Sequence, residues 1–321
     1  MISSNPGWLA IAVSEEVSSE SPLAAVAAGQ DLAVFRDSEG IARVVEDRCP
    51  HRRVPLTLGK IINGSIRCAY HGWTFDGASG SCVDVPNLGA NERVSRTYCV
   101  KAYRVSEHQG FVCTWLGEGE PSLELPFQNS DFENAESVTS GSGTVALGYD
   151  NYLEVLLDGP QVLFEIPGVR FTDFFLGDAI LSDGRIVLDR EAEWGAASKP
   201  VAIKVTDRPL ILRTELNTAG HEAIFRLLDD CENQLAMLLL SIAEGKRGTT
   251  RFCWRFYRYR SFKTAQPTKA RLLSVGREAV IVRSAIDGSA ISSLLVGPSF
   301  DCAALTATAN GSSAFAEHGC N

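Results

Sequence analysis

Cys49-Pro-His51-Arg52 and Cys68-Ala-Tyr70-His71-Gly72-Trp73, with sixteen residues between His51 and Cys68, use two of the chain's five histidines in a pair of short mixed motifs. Two thiolates and two imidazoles delivered this way match a [2Fe–2S] cluster with one iron on both sulfurs and the other on both ring nitrogens. That ligation raises the potential above an all-cysteine cluster. The spacings put each Cys/His pair on its own tight loop. Pro50 fixes φ in the first loop, and Gly72 lets the backbone come close in the second. A zinc site built from two Cys and two His is the competing reading, although such sites usually pair Cys with Cys and His with His.

Bulk properties narrow the possibilities. A chain of 321 residues, 45% hydrophobic and 21% charged, has room for two domains that each bury a core. A net charge of −9 argues against nucleic acid or an anionic membrane as partner. The start, Met1-Ile-Ser-Ser-Asn-Pro6, has neither a charged nor an apolar leader region, so no signal peptide is expected. The longest apolar run, Leu235–Ile242, is too short to span a bilayer, and a cytoplasmic location is expected. Beyond the motif, Cys82, Cys99, Cys113, Cys231, Cys253, Cys302 and Cys320 show no C-x-x-C spacing, and free, buried thiols are expected.

Along the chain, Leu32–Phe35 and Ile41–Val45 flank Asp37-Ser-Glu-Gly40, a hairpin signal. Short strands and turns fill the first 120 residues, and Glu124–Gly141 reads as polar and irregular. Tyr149–Leu157 reads as a helix with Tyr152, Leu153, Leu156 and Leu157 on one face. Phe171–Phe175, Arg185–Leu188, Val201–Val205 and Leu210–Leu216 look extended. Glu232–Ala243 is long enough for a helix, but Leu235–Ile242 and Arg251–Tyr259 around Glu244–Gly248 read better as a long hairpin.

Residues Cys49–Arg52 and Cys68–Trp73 resemble the Rieske motif of the Rieske non-haem iron oxygenases, in particular their oxygenase (α) subunits. Asn5–Ala10, Gly59–Arg67, Gly80–Pro86 and Gly110–Gly117 are similar to the stretches that surround that motif in the family. The resemblance implies an α+β chain: an N-terminal all-β Rieske [2Fe–2S] domain over residues 1–120, then a C-terminal antiparallel-sheet helix-grip domain over 121–302. Residues 303–321 read as a frayed tail. It also implies that Cys49 and Cys68 hold the buried ferric iron, while His51 and His71 hold the outer iron that changes valence. Arg52, Tyr70 and Trp73 would surround them.

The family's second domain holds a mononuclear Fe(II) on two histidines and one carboxylate. Here its histidine positions fall on Gln161 and Ile166, and the carboxylate expected before Ala265-Gln-Pro267 is replaced by Tyr257-Arg-Tyr-Arg. Asp158 aligns with the acid that bridges one subunit's Rieske histidine to the neighbour's iron. A rebuilt carboxylate site from Glu154, Asp158 and Glu165 suits Mg or Ca better than Fe(II). His108, His221 and His318 are read as structural. The expected role is therefore a Rieske electron-transfer component, a non-catalytic or partner subunit in a head-to-tail trimer with itself or a catalytic paralogue. A reductase or ferredoxin would be its electron donor. The alternatives are an active monooxygenase or demethylase of a small organic substrate with a different iron ligand set, and a stand-alone Rieske redox protein with a ligand-binding domain.

Overall fold

The computed structural model describes residues 7–89, 94–128, 132, 134–166, 169–194, 210–217, 221–259 and 281–282. Val201–Val205, Ala265–Pro267, Cys302, His318, Cys320 and the C-terminal tail lie outside them.

The N-terminal part is built of three small antiparallel sheets. Trp8–Val13 pairs with Phe111–Trp115, which pairs with Val105–His108. Leu23–Ala27, Gln30–Arg36, Ala42–Glu46 and Ala102–Tyr103 form the second sheet. Its expected hairpin is closed at Asp37, whose Oδ1 accepts the N–H groups of Glu39 and Ile41 while Oδ2 accepts from Arg43. Lys60–Ile62, Ser65–Arg67, Thr74–Phe75 and Cys82–Asp84 form the third, the sheet that carries the motif loops.

The remainder is built around one large antiparallel sheet, with Phe164–Glu165 and Ile281–Val282 pairing separately. Its strands run in the order Ala135–Val145, Thr250–Tyr259, Gln234–Glu244, Glu222–Leu228, Leu210–Asn217, Arg185–Trp194 and Val169–Phe175, and Ile180–Ser182 also pairs with Arg185–Trp194. The helix Tyr149–Asp158 lies against this sheet. It buries Tyr152, Leu153, Val155, Leu156 and Leu157 in a core with Leu212, Phe225, Leu238 and Phe252. Each such leucine removed from water contributes about 1.5–3 kcal/mol, so the sheet holds a helix only ten residues long that would be marginal alone. The helix runs to Asp158, one residue past the expected Leu157, and Gly159 and Pro160 end it.

The long hairpin is present, with Ala236 opposite Arg258 and Glu244 opposite Thr250. Gln234–Glu244 is apolar on both faces for a tertiary reason. Ala236, Leu238, Leu240 and Ile242 face the helix, while Met237 and Leu239 pack with Ala10, Val13, Phe111 and Cys113 of the N-terminal part. Ser241 Oγ also donates to the Ala10 carbonyl at 2.7 Å, so the two parts share one core strand.

Two expectations need correcting. Glu124–Gly141 is not irregular throughout, because the edge strand Ala135–Val145 begins inside it. Its glycines disguise it: Gly141 and Gly143 sit opposite Trp254 and Phe252, and a Cβ on Gly143 would come within 2.6 Å of the Phe252 ring. The spare thiols are not all buried either. Cys82, Cys113 and Cys253 are, whereas Cys99, in a bridge to Ser81, and Cys231, in a turn, are exposed.

Candidate metal centre

The two motif loops close in the same way. Cys49 N–H donates to the Val54 carbonyl at 2.9 Å, and Arg53 N–H returns to the Cys49 carbonyl at 2.8 Å. Cys68 N–H donates to the Trp73 carbonyl at 2.9 Å, and Gly72 N–H returns to the Cys68 carbonyl at 3.1 Å. Each loop therefore needs a left-handed residue four positions after its cysteine. Gly72 (φ 73°) fills that place in one loop and Arg53 (φ 60°) in the other. A Cβ on Gly72 would lie 2.8 Å from Pro86 Cγ, so glycine answers a close contact there as well as the dihedral.

The loops face each other. Cys49 and Cys68 are buried in one core with Phe35, Leu56, Ile66 and Phe75. His51 and His71 stand exposed at the surface with ring centroids 4.6 Å apart. Burial raises the Cys49 thiol above its ordinary range, and Cys68 beside it pushes the same way. The two sulfurs thus share an apolar niche, and metal binding there would displace the Cys49 proton. Desolvation, His71 and Arg52 together lower the pKa of His51, which keeps its imidazole neutral for ligation.

Donor spacing also separates the two metal readings. The ligands of one tetrahedral zinc lie about 3.8 Å apart or closer, given metal–sulfur bonds near 2.3 Å. Among the described residues the one set of three His, Cys, Asp or Glu donors mutually within 4.8 Å is Asp229, Asp230 and Cys231, not any three of the motif residues. Buried sulfurs below and exposed imidazoles above fit a cluster spread over two irons. When bound, such a cluster supplies one-electron storage, and the protein's residues place its histidine side at the surface.

Of the expected neighbours, Trp73 stacks on His51 at 4.8 Å with the rings 4° from parallel. Tyr70 rests on His71 at 3.9 Å and is otherwise largely exposed. Arg52 projects into solvent beside His51. Sequence reasoning missed Tyr98, which packs on Trp73 at 4.7 Å. Backbone pairing of Gly80–Cys82 with Tyr98–Val100 brings it there.

Residues 7–104 match the family model of the Rieske [2Fe–2S] domain. That stretch of the chain is a Rieske [2Fe–2S] domain. The chain is 37% identical over 171 residues to the chloroplastic protein TIC 55 of Arabidopsis thaliana, covering 51% of this chain and 31% of that one. It is 33% identical over 186 residues to the dicamba O-demethylase oxygenase component of Stenotrophomonas maltophilia, covering 56% and 53%. The chain thus spans about a third to a half of the length of these curated relatives. A crystal structure of dicamba monooxygenase bound to 3,6-dichlorosalicylic acid superposes with a TM-score of 0.63 at 21% identity, over 81% of this chain and 80% of that one. At that identity the likeness shows a shared fold. Among the described residues no helix is long and apolar enough to cross a membrane.

Among the described residues, the second part of the chain offers no set of side chains that fits a mononuclear iron. Ile166 is buried apolar core, and Gln161 offers one amide oxygen, buried without a hydrogen-bond partner. Asp158 ends the helix, half-buried, with its pKa raised by burial against the pull of Arg190. Arg190, itself buried, donates Nη1 to the Thr172 carbonyl at 2.8 Å and Nη2 to the carbonyls of Leu157 and Asp158, and its guanidinium lies 4.2 Å over the Phe175 ring. A fixed side-chain cation therefore closes this end of the helix. His221 is a core histidine bonded to Tyr149 Oη at 3.2 Å, and His108 is half-buried, as read from the sequence. The Asp229–Cys231 set is a hairpin turn in which Asp229 Oδ1 accepts the N–H groups of Cys231 and Asn233.

Proposed function

We propose that this chain is the electron-carrying, non-catalytic subunit of a Rieske-type oxygenase system, assembled head to tail with a catalytic paralogue. Cys49 and Cys68 are the proposed ligands of the iron that stays ferric, and His51 and His71 those of the iron that accepts an electron. The extents proposed are 1–120 for the Rieske domain and 121–302 for the oxygenase-like domain. Asp158 is the candidate bridge between subunits, and a reductase or ferredoxin in the cytoplasm is the proposed donor.

One contrast supports this reading. The four donors of the cluster meet at a surface tip, while Gln161, Ile166 and the Arg190-capped helix end occupy the region where an oxygenase would hold iron. His51 and His71 do not need to rearrange to meet a partner, because both rings are already exposed. A second reading, an active monooxygenase or demethylase, draws support from the fold shared with dicamba monooxygenase.

Iron and acid-labile sulfide counted per chain after anaerobic purification with iron supplied would separate the two. Two of each, with a rhombic EPR signal on reduction, is the expected result. A reproducible third iron together with substrate turnover would overturn the non-catalytic assignment.

A further inference from the structure

Residues 48–75, the stretch that contains both motif loops, hold five cations (Arg48, Arg52, Arg53, Lys60 and Arg67) and no Asp or Glu, in a chain whose net charge is −9. Arg67 is paired with Asp84. Arg48, Arg52, Arg53 and Lys60 are exposed. Charge of one sign gathered around a redox tip steers an oppositely charged partner to it.

The backbone marks one of these cations. In the second loop the left-handed position belongs to glycine, and in the first the same position belongs to Arg53. An L-residue there costs about 1–2 kcal/mol. Nothing in the loop's own hydrogen bonding requires a side chain at that point, since the bond from Arg53 is made by its backbone N–H. A long, charged, solvent-facing side chain kept against a backbone cost points to use outside the fold.

Next to this charge, a two-step chain of aromatic contacts runs outward from His51. His51 stacks on Trp73, and Trp73 packs on Tyr98, a residue 41% exposed. Val83, 53% exposed, lies one residue from Cys82, which is bonded to the Tyr98 backbone. His71 instead meets Tyr70. The tip thus has two flanks, and the His51 flank joins cations to an exposed apolar anchor, the composition of an interface hot spot.

We propose that the flank formed by His51, Trp73, Tyr98, Arg52 and Arg53 is the docking face for an acidic one-electron donor protein, with electrons entering along the Tyr98–Trp73–His51 stack. This rests on the Rieske reading of the centre and adds the direction of traffic: entry at His51, leaving the His71 flank for the acceptor. The step is a bare electron transfer. One donor iron goes from ferrous to ferric, the histidine-held iron goes from ferric to ferrous, and no bond forms or breaks. The competing occupant is a second copy of this chain, whose segment 171–184 carries Asp173, Asp178 and Asp183, no cation, and exposed Phe174, Leu176, Ile180 and Leu181.

The test uses the full-length protein with its cluster loaded, first checked by EPR, and a dithionite-reduced plant-type [2Fe–2S] ferredoxin as acidic probe, freed of excess dithionite. Failure to load would sink the Rieske reading itself, before any donor is mixed. With the cluster present, stopped-flow reduction by the ferredoxin should fall about tenfold at low salt in Arg52→Gln/Arg53→Gly, and its salt dependence should flatten. Reduction by the neutral 5-deazariboflavin radical should stay as in the parent. Arg53→Gly suits the backbone, so misfolding is not the expected cause of a loss. Tyr98→Ala should lower the rate at saturating ferredoxin while the EPR signal is retained. Parental ferredoxin rates in all variants would overturn the proposal. So would parental rates joined to a smaller assembly mass by light scattering, which would assign the flank to a second copy.

Discussion

Replacing Arg190 with methionine should unfold the oxygenase-like domain far more readily while leaving the cluster tip intact. Arg190 makes three hydrogen bonds to main-chain carbonyls, one from Thr172 and two from the last turn of the helix, and it attracts Asp158 and Asp173. Bonds from a charged donor contribute about 1.5–3 kcal/mol each, and removing one member of a buried charge arrangement costs about 3–5 kcal/mol. Methionine recovers some packing on Phe175 but none of the bonds, so a loss of about 3 kcal/mol or more is expected. Against a total of about 5–15 kcal/mol this is a large fraction. Urea unfolding followed by far-ultraviolet circular dichroism should show a midpoint lower by about 1 M or more, while the visible absorbance of the cluster is lost only at higher urea. Arg190→Lys, which keeps the charge and loses the planar fork, should fall between the two. EDTA should leave the parental midpoint unchanged, because a side chain and not a metal closes the helix end. A methionine variant within about 1 kcal/mol of the parent, or an EDTA effect as large as the substitution's, would refute the assignment of that role to Arg190.

Cys68→Ser or His71→Ala should abolish the reddish-brown colour and the rhombic EPR signal, and a variant that keeps both would remove that residue from the ligand set. Gly72→Ala places a Cβ 2.8 Å from Pro86 at φ 73°; thermal unfolding should show a loss of about 1–2 kcal/mol, whereas Arg53→Gly at the twin position should be neutral or stabilising. The Glu15 carboxylate, despite some burial, has a lowered pKa because Arg255 and Ser140 hold its charged form. Its contribution is therefore complete above the ordinary carboxylate range and lost as pH falls through the folded value, so acid should loosen the contact between the two parts in the parent and change little further in Glu15→Gln. Asp158 is shifted the other way. Its folded form prefers the proton, the penalty grows as pH rises past its ordinary value, and Asp158→Asn should be stabilised near neutrality with the gain vanishing in acid, as read from melting temperature against pH.

Much of the centre was legible before any coordinates, because Cys49/His51 and Cys68/His71 are local pairs whose loops close by bonds spanning four or five residues. The helix Tyr149–Asp158 and the hairpin Gln234–Glu244/Thr250–Tyr259 were legible for the same reason, through apolar spacing and a turn. The identities of Gln161 and Ile166, at the positions where the family resemblance implies histidines, also stood in the chain itself. What only the tertiary structure decided is how distant pieces meet. Strand pairing brings Tyr98 onto Trp73 across twenty-four intervening residues, and it carries Arg190 to the end of a helix that is thirty-two residues away in sequence. It also seats Gln234–Glu244 between two cores, which is why that strand shows no polar face. The edge strand Ala135–Val145 stayed hidden because its glycines serve the rings on the neighbouring strand. Local patterns record what a residue does for its own turn or strand, and long-range contacts leave no period in the sequence from which to read the partner.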